Sequence, residues 1–114
     1  MRAIKFRVWG AEMYYADNYY DLCQMFGSLH QEPAMLMQYT GLKDKNGVEI
    51  YEGDILKVFG DVSEIYYSEH NAAFRYQRTH PAMEPVPLGT YSSPAFEVIG
   101  NIYENPELLE ADHA

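Results

Sequence analysis

The sequence has a single cysteine and no long apolar run. Cys23 has no second cysteine with which to form an internal disulfide, which fits a reducing compartment such as the cytoplasm. The first ten residues, MRAIKFRVWG, lack the continuous apolar stretch of a secretory signal. No segment approaches the ~20 consecutive apolar residues that a membrane span needs. We therefore expect a cytoplasmic protein without a membrane segment.

Basic side chains are scarce. Eight Lys and Arg against 17 Asp and Glu give a formal net charge of −9. This charge repels a phosphate backbone, so duplex DNA or RNA is disfavoured as a partner. An acidic surface can bind a basic protein patch or mimic a nucleic acid, but in most proteins it serves solubility.

Catalytic, cofactor and metal motifs are also missing. The sequence contains no G-x-S-x-G, no Walker-type loop and no G-x-G-x-x-G. Its histidines lie apart, without the close spacing of a metal site; they are His30, His70, His80 and His113. Cys23 falls on a predicted apolar helix face, where a buried thiol is inert. We therefore predict no enzyme activity, no cofactor and no metal.

One group of carboxylates would suit a hydrolase. Glu49, Glu52 and Asp54 lie within six residues of each other around a predicted turn. Paired carboxylates act as acid and base when their surroundings separate their pKa values, and nothing in the sequence supplies that difference. We expect Asp54 to hold the turn and both glutamates to face water.

The clearest structural pattern is the stretch 36–58, LMQYTGLKDKNGVEIYEGDILKV. Its DKNG segment favours a type I turn followed by a left-handed glycine between antiparallel strands; a two-residue primed turn at Asn-Gly is the alternative. The YEGD segment predicts a second turn, with a glycine at positive φ and an aspartate that accepts a local backbone N–H. The residues assigned to these turns are Asp44, Asn46, Gly47, Gly53 and Asp54.

Further short strands are predicted along the whole chain. They cover residues 4–9, 13–15, 35–40, 55–59, 62–67, 72–76 and 96–99. A helix is expected after a cap at Asp17 or Asn18, with a face made of Tyr19, Leu22, Cys23 and Phe26, and Gly27 is its expected end. A last helical turn is predicted after a cap at Asn105, and 28–33 is predicted to be a loop.

The proline-rich segment 79–94 is predicted to be an extended surface loop, because its four prolines remove four backbone donors. Taken together, the pattern indicates one mainly β domain of antiparallel strands with one or two short helices. Several short strands at close spacing indicate a small barrel or a sandwich.

Three separated blocks resemble the YopX family of phage and prophage proteins. They are MRAIKFRVW at the start, QYTGLKDKNGVEIYEGDILKV in the middle and VIGNIYENPELL near the end. The resemblance implies a small, phage-encoded, antiparallel β-barrel-like domain, either SH3-like or partly open, and closure of a barrel would hide the edges of many short strands. It also implies an uncharacterised biochemical role, and we expect the protein in the cytosol of a bacterial host. It provides no catalytic residues to transfer to this chain.

Tyrosine is abundant, with eleven copies beside five Phe and one Trp. This is more aromatic surface than a core of this size readily buries, and tyrosine is common at interfaces. The candidate interaction surface consists of Tyr14, Tyr15, Tyr19, Tyr20, Tyr66 and Tyr67. We expect a non-catalytic binding or assembly module that forms a homo-oligomer or binds another protein.

The alternative is a single-stranded nucleic-acid binder that stacks bases on these aromatic rings. Such a binder needs cations near the rings to hold the phosphates. The candidates are Lys5, Arg7, Arg75 and Arg78.

Overall fold

The computed structural model describes residues 4–28, 35–78, 85–88 and 95–110. In chain order, the elements are β1 Phe6–Trp9, β2 Met13–Ala16, α1 Tyr19–Ser28, β3 Met35–Lys43, β4 Glu49–Tyr51, β5 Asp54–Val58, β6 Asp61–Ser68, β7 Ala73–Arg78, β8 Val86–Pro87, β9 Phe96–Asn101 and a 3-10 helix Pro106–Leu109. Every strand pair is antiparallel, so the predicted mainly β class is confirmed.

The strands form two sheets, with the orders β2-β1-β3-β4 and β8-β7-β6-β5-β9. In the four-stranded sheet, Tyr15 and Tyr51 lie on the two outermost strands, yet their rings meet edge to face with centroids 5.6 Å apart. This sheet must therefore be strongly curled. The described strands form a partly open arrangement of two sheets and not a closed barrel.

The main core lies on the five-stranded sheet and includes one residue from β4. Ile55, Leu56 and Ile65 are fully buried, and Tyr76 meets Phe96 edge to face at 5.7 Å. Burial of each large apolar side chain is worth about 1.5–3 kcal/mol relative to exposure. The buried cluster comprises Ile50, Leu56, Val58, Ile65, Tyr76 and Phe96.

The β3–β4 hairpin has the first of the two predicted turn forms. The Gly47 N–H donates to the Asp44 carbonyl at 3.0 Å, and Gly47 has φ +81°. Both primed turns need positive φ at the first central residue, which would be Asn46, and Asn46 does not have it. The hairpin is therefore a type I turn followed by a left-handed glycine.

Phe59 was predicted to belong to a mostly buried strand, and this is wrong. The strand β5 ends at Val58, which pairs with Asp61. Phe59 and Gly60 are the two residues between them, with φ values of +51° and +86°, and Phe59 is 69% exposed. Two consecutive left-handed residues match the twist of antiparallel strands. The tight turn therefore forms here, and the Phe59 ring is left exposed.

The helix begins where the sequence predicts, but it buries a different face. The Asn18 Oδ1 accepts the Asp21 N–H at 2.8 Å, as a helix cap does. Tyr19 and Cys23 are exposed, while Leu22 and Met25 are half-buried. The predicted apolar face and the buried thiol are therefore wrong, and α1 continues one residue past Gly27.

Part of the segment predicted as a loop forms a strand. Val86 and Pro87 pair with Tyr76 and Arg75, which makes β8 the edge of the five-stranded sheet. Proline is tolerated at a sheet edge because its missing N–H can face outward. The rest of the proline-rich segment, 79–84 and 89–94, lies outside the described residues.

Two further segments, the loop 28–33 and the last helical turn, were also predicted from the sequence. The predicted loop 28–33 lies outside the described residues apart from Ser28, which ends α1. Asn105 is the N-cap residue of the last helical turn, as predicted, but its side chain makes no capping hydrogen bond. Its Oδ1 instead accepts the Asn101 N–H at 3.2 Å, which holds the end of β9.

Candidate functional site

A cleft of about 250 Å³ lies between the two sheets, lined by residues of β1, β2, β4, β5 and β9 and of the β3–β4 turn. Its polar and aromatic lining includes Arg7, Tyr15, Glu49, Tyr51 and Asp54. Tyr15 belongs to the candidate interaction surface predicted from the sequence. Arg7 was a candidate only as a cation for a nucleic-acid strand, and Tyr51 was not singled out. The inner side of the curled sheet brings these side chains together.

A buried ion pair crosses from one sheet to the other at the base of this site. The Arg7 Nη2 donates to the Asp54 Oδ1 at 2.8 Å and to the Glu52 carbonyl at 3.2 Å. Arg7 is 3% exposed and Asp54 is 2% exposed. The guanidinium carbon also lies 4.8 Å from the Tyr51 ring centroid, a cation–π distance.

The Asp54 carboxylate is held at both oxygens. Its Oδ2 accepts the Tyr51 N–H at 2.7 Å, so it holds the β4–β5 turn in the predicted way. Burial raises the pKa of Asp54, while the Arg7 charge and the two hydrogen bonds act in the opposite direction. Since arginine stays protonated, ionised Asp54 makes the pair neutral overall.

Tyr51 is a buried tyrosine with an unsatisfied hydroxyl. It is 2% exposed, and its hydroxyl has no hydrogen-bond partner among the residues that the structure describes. Burial strongly raises the pKa of Tyr51, and the negative charge of Glu49 raises it further. The hydroxyl therefore remains protonated at neutral pH and can donate a hydrogen bond. The Arg7 Nε is likewise unpaired within the described part of the chain.

The two glutamates were predicted to face water, and this is wrong. The Glu49 Oε2 bonds to the Lys5 Nζ at 2.5 Å, and this hydrogen bond raises the pKa of Lys5. The Glu52 Oε1 accepts the Gln38 N–H at 3.1 Å. Both carboxylates thus connect β4 and its turn to neighbouring strands.

The predicted tyrosine surface divides into two groups. Tyr14, Tyr15, Tyr19 and Tyr20 lie together in the β2–α1 segment and are 54%, 51%, 81% and 70% exposed. Tyr66 and Tyr67 lie on β6 of the other sheet. Tyr66 is half-buried, and Tyr67 is 42% exposed with its ring edge-on to Phe74.

The four cations that would hold the phosphates of a bound strand are engaged within the protein. Lys5 and Arg7 bond to Glu49 and Asp54, as described above. The remaining two are Arg75, which donates to the Asn71 Oδ1 at 2.6 Å and the Pro85 carbonyl at 2.7 Å, and Arg78, which lies 3.4 Å from the Asp61 carboxylate.

The part of the chain that the structure describes contains neither a metal-binding cluster nor a membrane-spanning helix. No group of three or more His, Cys, Asp or Glu side chains there is close enough to hold an ion. Within the same residues, no helix has the length and apolar character needed to cross a bilayer. Three of the four histidines, His30, His80 and His113, lie outside this part.

The model of the family described as YopX protein matches residues 5–110, which include both sheets and the cleft. The chain belongs to the YopX family. This YopX chain is also similar to protein EF1440 from Enterococcus faecalis, known from a crystal structure. The two are 33% identical, with a TM-score of 0.53, and the match covers 92% of this chain and 75% of EF1440. No curated protein matches this YopX chain.

Proposed function

We propose that this YopX protein is a non-catalytic binding or assembly module that acts by associating with itself or with another protein. The observation that carries the proposal is the exposure of four tyrosines, at 14, 15, 19 and 20, in one short segment. Tyrosine rings provide a large contact area at a small cost in side-chain entropy, which makes them frequent anchors of interfaces.

The strand beside these tyrosines supports the same function. β2 is an outer strand of the four-stranded sheet, so one of its edges has no strand neighbour among the described residues. Val8 pairs with both Tyr14 and Leu36, which places Tyr14 and Leu36 on one face, and both are exposed. An outer strand next to exposed apolar side chains is the kind of surface that another chain can cover.

The state of the carboxylates supports a non-catalytic role. Glu49, Glu52 and Asp54 each accept hydrogen bonds from structural partners, and Asp54 is buried against a guanidinium. A general acid or base needs access to a substrate proton. The internal engagement of the four candidate cations, Lys5, Arg7, Arg75 and Arg78, likewise favours protein contacts over nucleic-acid strands. On the basis of the family resemblance, the proposal also includes that the protein is encoded by a phage or prophage and acts in the bacterial cytosol.

Light scattering coupled to size exclusion, over a range of protein concentrations, tests the proposal. We expect a discrete oligomer that survives about 1 M salt, because contacts between uncharged rings are not screened. Replacing Tyr19 and Tyr20 together by serine is expected to shift the oligomer to the monomer. Tyr67→Ser, on the other sheet, is the matched control and should leave the oligomer unchanged.

A monomeric wild type leads to the second arm of the test. The protein is then used as bait in lysate from infected cells, beside the Tyr19→Ser, Tyr20→Ser double variant. A partner bound by the wild type and lost by the double variant supports the proposal. A monomer that recovers no such partner contradicts it.

A further inference from the structure

We propose that the cleft lined by Arg7, Tyr15, Glu49 and Tyr51 is a binding site for a small, uncharged, planar molecule with hydrogen-bond donors and acceptors, the chemistry of a nucleobase. This proposal does not rest on self-association through the tyrosine surface. It rests on the charge balance of the cleft, on two buried polar atoms that have no partner among the described residues, and on the size and walls of the space.

The charges around the cleft already neutralise each other. Arg7 is paired with Asp54 at 2.8 Å, and Lys5 is paired with Glu49 at 2.5 Å. A charged ligand would find no uncompensated counter-charge, and burying an unpaired charge is unfavourable. The net charge of −9 further disfavours an anion. The ligand is therefore uncharged.

The polar groups at the cleft require a ligand with both an acceptor and a donor. The Tyr51 hydroxyl and the Arg7 Nε are buried donors without a partner among the described residues, although buried polar groups are normally paired. A ligand carbonyl or ring nitrogen would satisfy one of them. Glu49 lines the cleft, and its salt bridge uses Oε2; in this proposal its Oε1 accepts a ligand N–H.

The size and walls of the cleft favour one flat ring system. Its volume of about 250 Å³ is below the ~300–1,000 Å³ of pockets for drug-sized ligands. The rings of Tyr15 and Tyr51 and the side chains of Val48 and Val98 line it, which provides aromatic and apolar surfaces for stacking. The Tyr51 hydroxyl is closed off from solvent, and the half-exposed Tyr15 ring lies against the Tyr51 ring at 5.6 Å. In this proposal, movement of Tyr15 admits the ligand to the hydroxyl.

The test titrates adenosine, guanosine, cytidine and uridine into the full chain by isothermal calorimetry and saturation-transfer NMR. We expect at least one nucleoside to bind, and Tyr51→Phe to weaken it about tenfold through loss of the hydroxyl donor. Val48→Trp, which fills the cleft from an exposed position, should abolish binding. Tyr67→Phe, on the other sheet, should bind like the wild type.

Tyr51→Phe removes a hydroxyl that has no partner in the described part of the chain, so the variant should keep the wild-type melting temperature. The absence of binding for all four nucleosides at about 10 mM would overturn the proposal. Binding that is unchanged in both Tyr51→Phe and Val48→Trp would overturn the assignment of the site.

A short single strand carrying the best base identifies the source of the ligand. Tighter, salt-sensitive binding of the strand, still weakened by Tyr51→Phe, would mean that the base arrives on a strand. Equal or weaker binding of the strand would mean that the site takes a free base or nucleoside. Both results support the site.

Discussion

The Asp44 carboxylate accepts three backbone N–H groups from two distant parts of the chain. Its Oδ1 accepts Asn46 and Val48 at 2.8 and 2.9 Å within its own hairpin, and its Oδ2 accepts Val98 of β9 at 2.9 Å. Burial alone would raise the pKa of Asp44, but the three donors outweigh it, so the pKa lies below its usual value. One side chain thus shapes a turn and attaches it to the second sheet.

The lowered pKa of Asp44 sets a pH dependence. Ionised Asp44 stabilises the fold above its unfolded pKa of about 3.9, and this contribution is lost as pH falls through the lower folded value. We expect Asp44→Asn to reduce the free energy of unfolding by about 1–3 kcal/mol at neutral pH. The deficit should shrink near pH 2.

Urea unfolding of the wild type and Asp44→Asn at both pH values measures this deficit. Asp17→Asn, which changes an exposed carboxylate, is the control for net charge. A deficit of equal size at both pH values would show that the ionised carboxylate is not what stabilises the hairpin.

At the scale of elements, the β4–β5 turn connects three segments through Gly53. Its N–H donates to the Ile65 carbonyl and its carbonyl accepts the Ile102 N–H, both at 2.9 Å. Gly53 has φ +88°, and an added Cβ would lie 2.9 Å from the Met37 Sδ. The turn therefore excludes a side chain for reasons of backbone conformation and of space.

Gly53→Ala is expected to lower the free energy of unfolding by about 1–3 kcal/mol, from left-handed strain and the contact with Met37. Gly10→Ala is the matched control, because an added Cβ there meets nothing within 4 Å and Gly10 is not left-handed. Thermal unfolding of both variants compares them. Equal shifts of the melting temperature would contradict this role of the turn.

Sequence reasoning found these turns because a turn depends on neighbouring residues. The choice of glycine and aspartate at 44–47 and 51–54 is local chemistry. Phe59 was misplaced because its apolar ring favours a strand, whereas the fold requires a two-residue turn there. β8 was missed because a proline can occupy an outer strand, and no local pattern says which strand lies beside it.

The cleft was the hardest part to predict. Arg7 looks like an outward-facing residue in an alternating strand, and its burial depends on Asp54, 47 residues later. Tyr51 looks like any strand tyrosine in the sequence. Only the three-dimensional structure shows that its hydroxyl is buried without a hydrogen-bond partner among the described residues. A short sequence pattern predicts well where the strands are. It predicts less well which strand faces pack against each other.

At the scale of the whole molecule, the Arg7–Asp54 pair joins the two sheets. We expect Arg7→Ala to lower the free energy of unfolding by about 3–5 kcal/mol, because it leaves Asp54 buried without a counter-ion. Arg7→Met with Asp54→Asn should recover part of this loss, since no buried charge then remains.

Urea unfolding measures these changes, with Lys5→Ala as control. The Lys5–Glu49 pair also joins neighbouring parts of the chain, but both of its side chains remain partly exposed. Exposed pairs contribute little, so Lys5→Ala should change stability far less. A loss in Arg7→Ala no larger than that in Lys5→Ala would contradict a central role for the buried pair.

The bonds that join distant parts of the fold have a consequence for the rate of folding. Lys5–Glu49, Arg7–Asp54 and Asp44–Val98 are separated by 44, 47 and 54 residues along the chain. Each can form only when a long loop closes, which lowers the conformational entropy of the chain. Local hairpins can form in microseconds, whereas β proteins with such distant pairings fold in milliseconds to seconds. Until the sheets dock, the charged Arg7 and the tyrosines around it remain in water, so assembly of the cleft and completion of folding are the same late event.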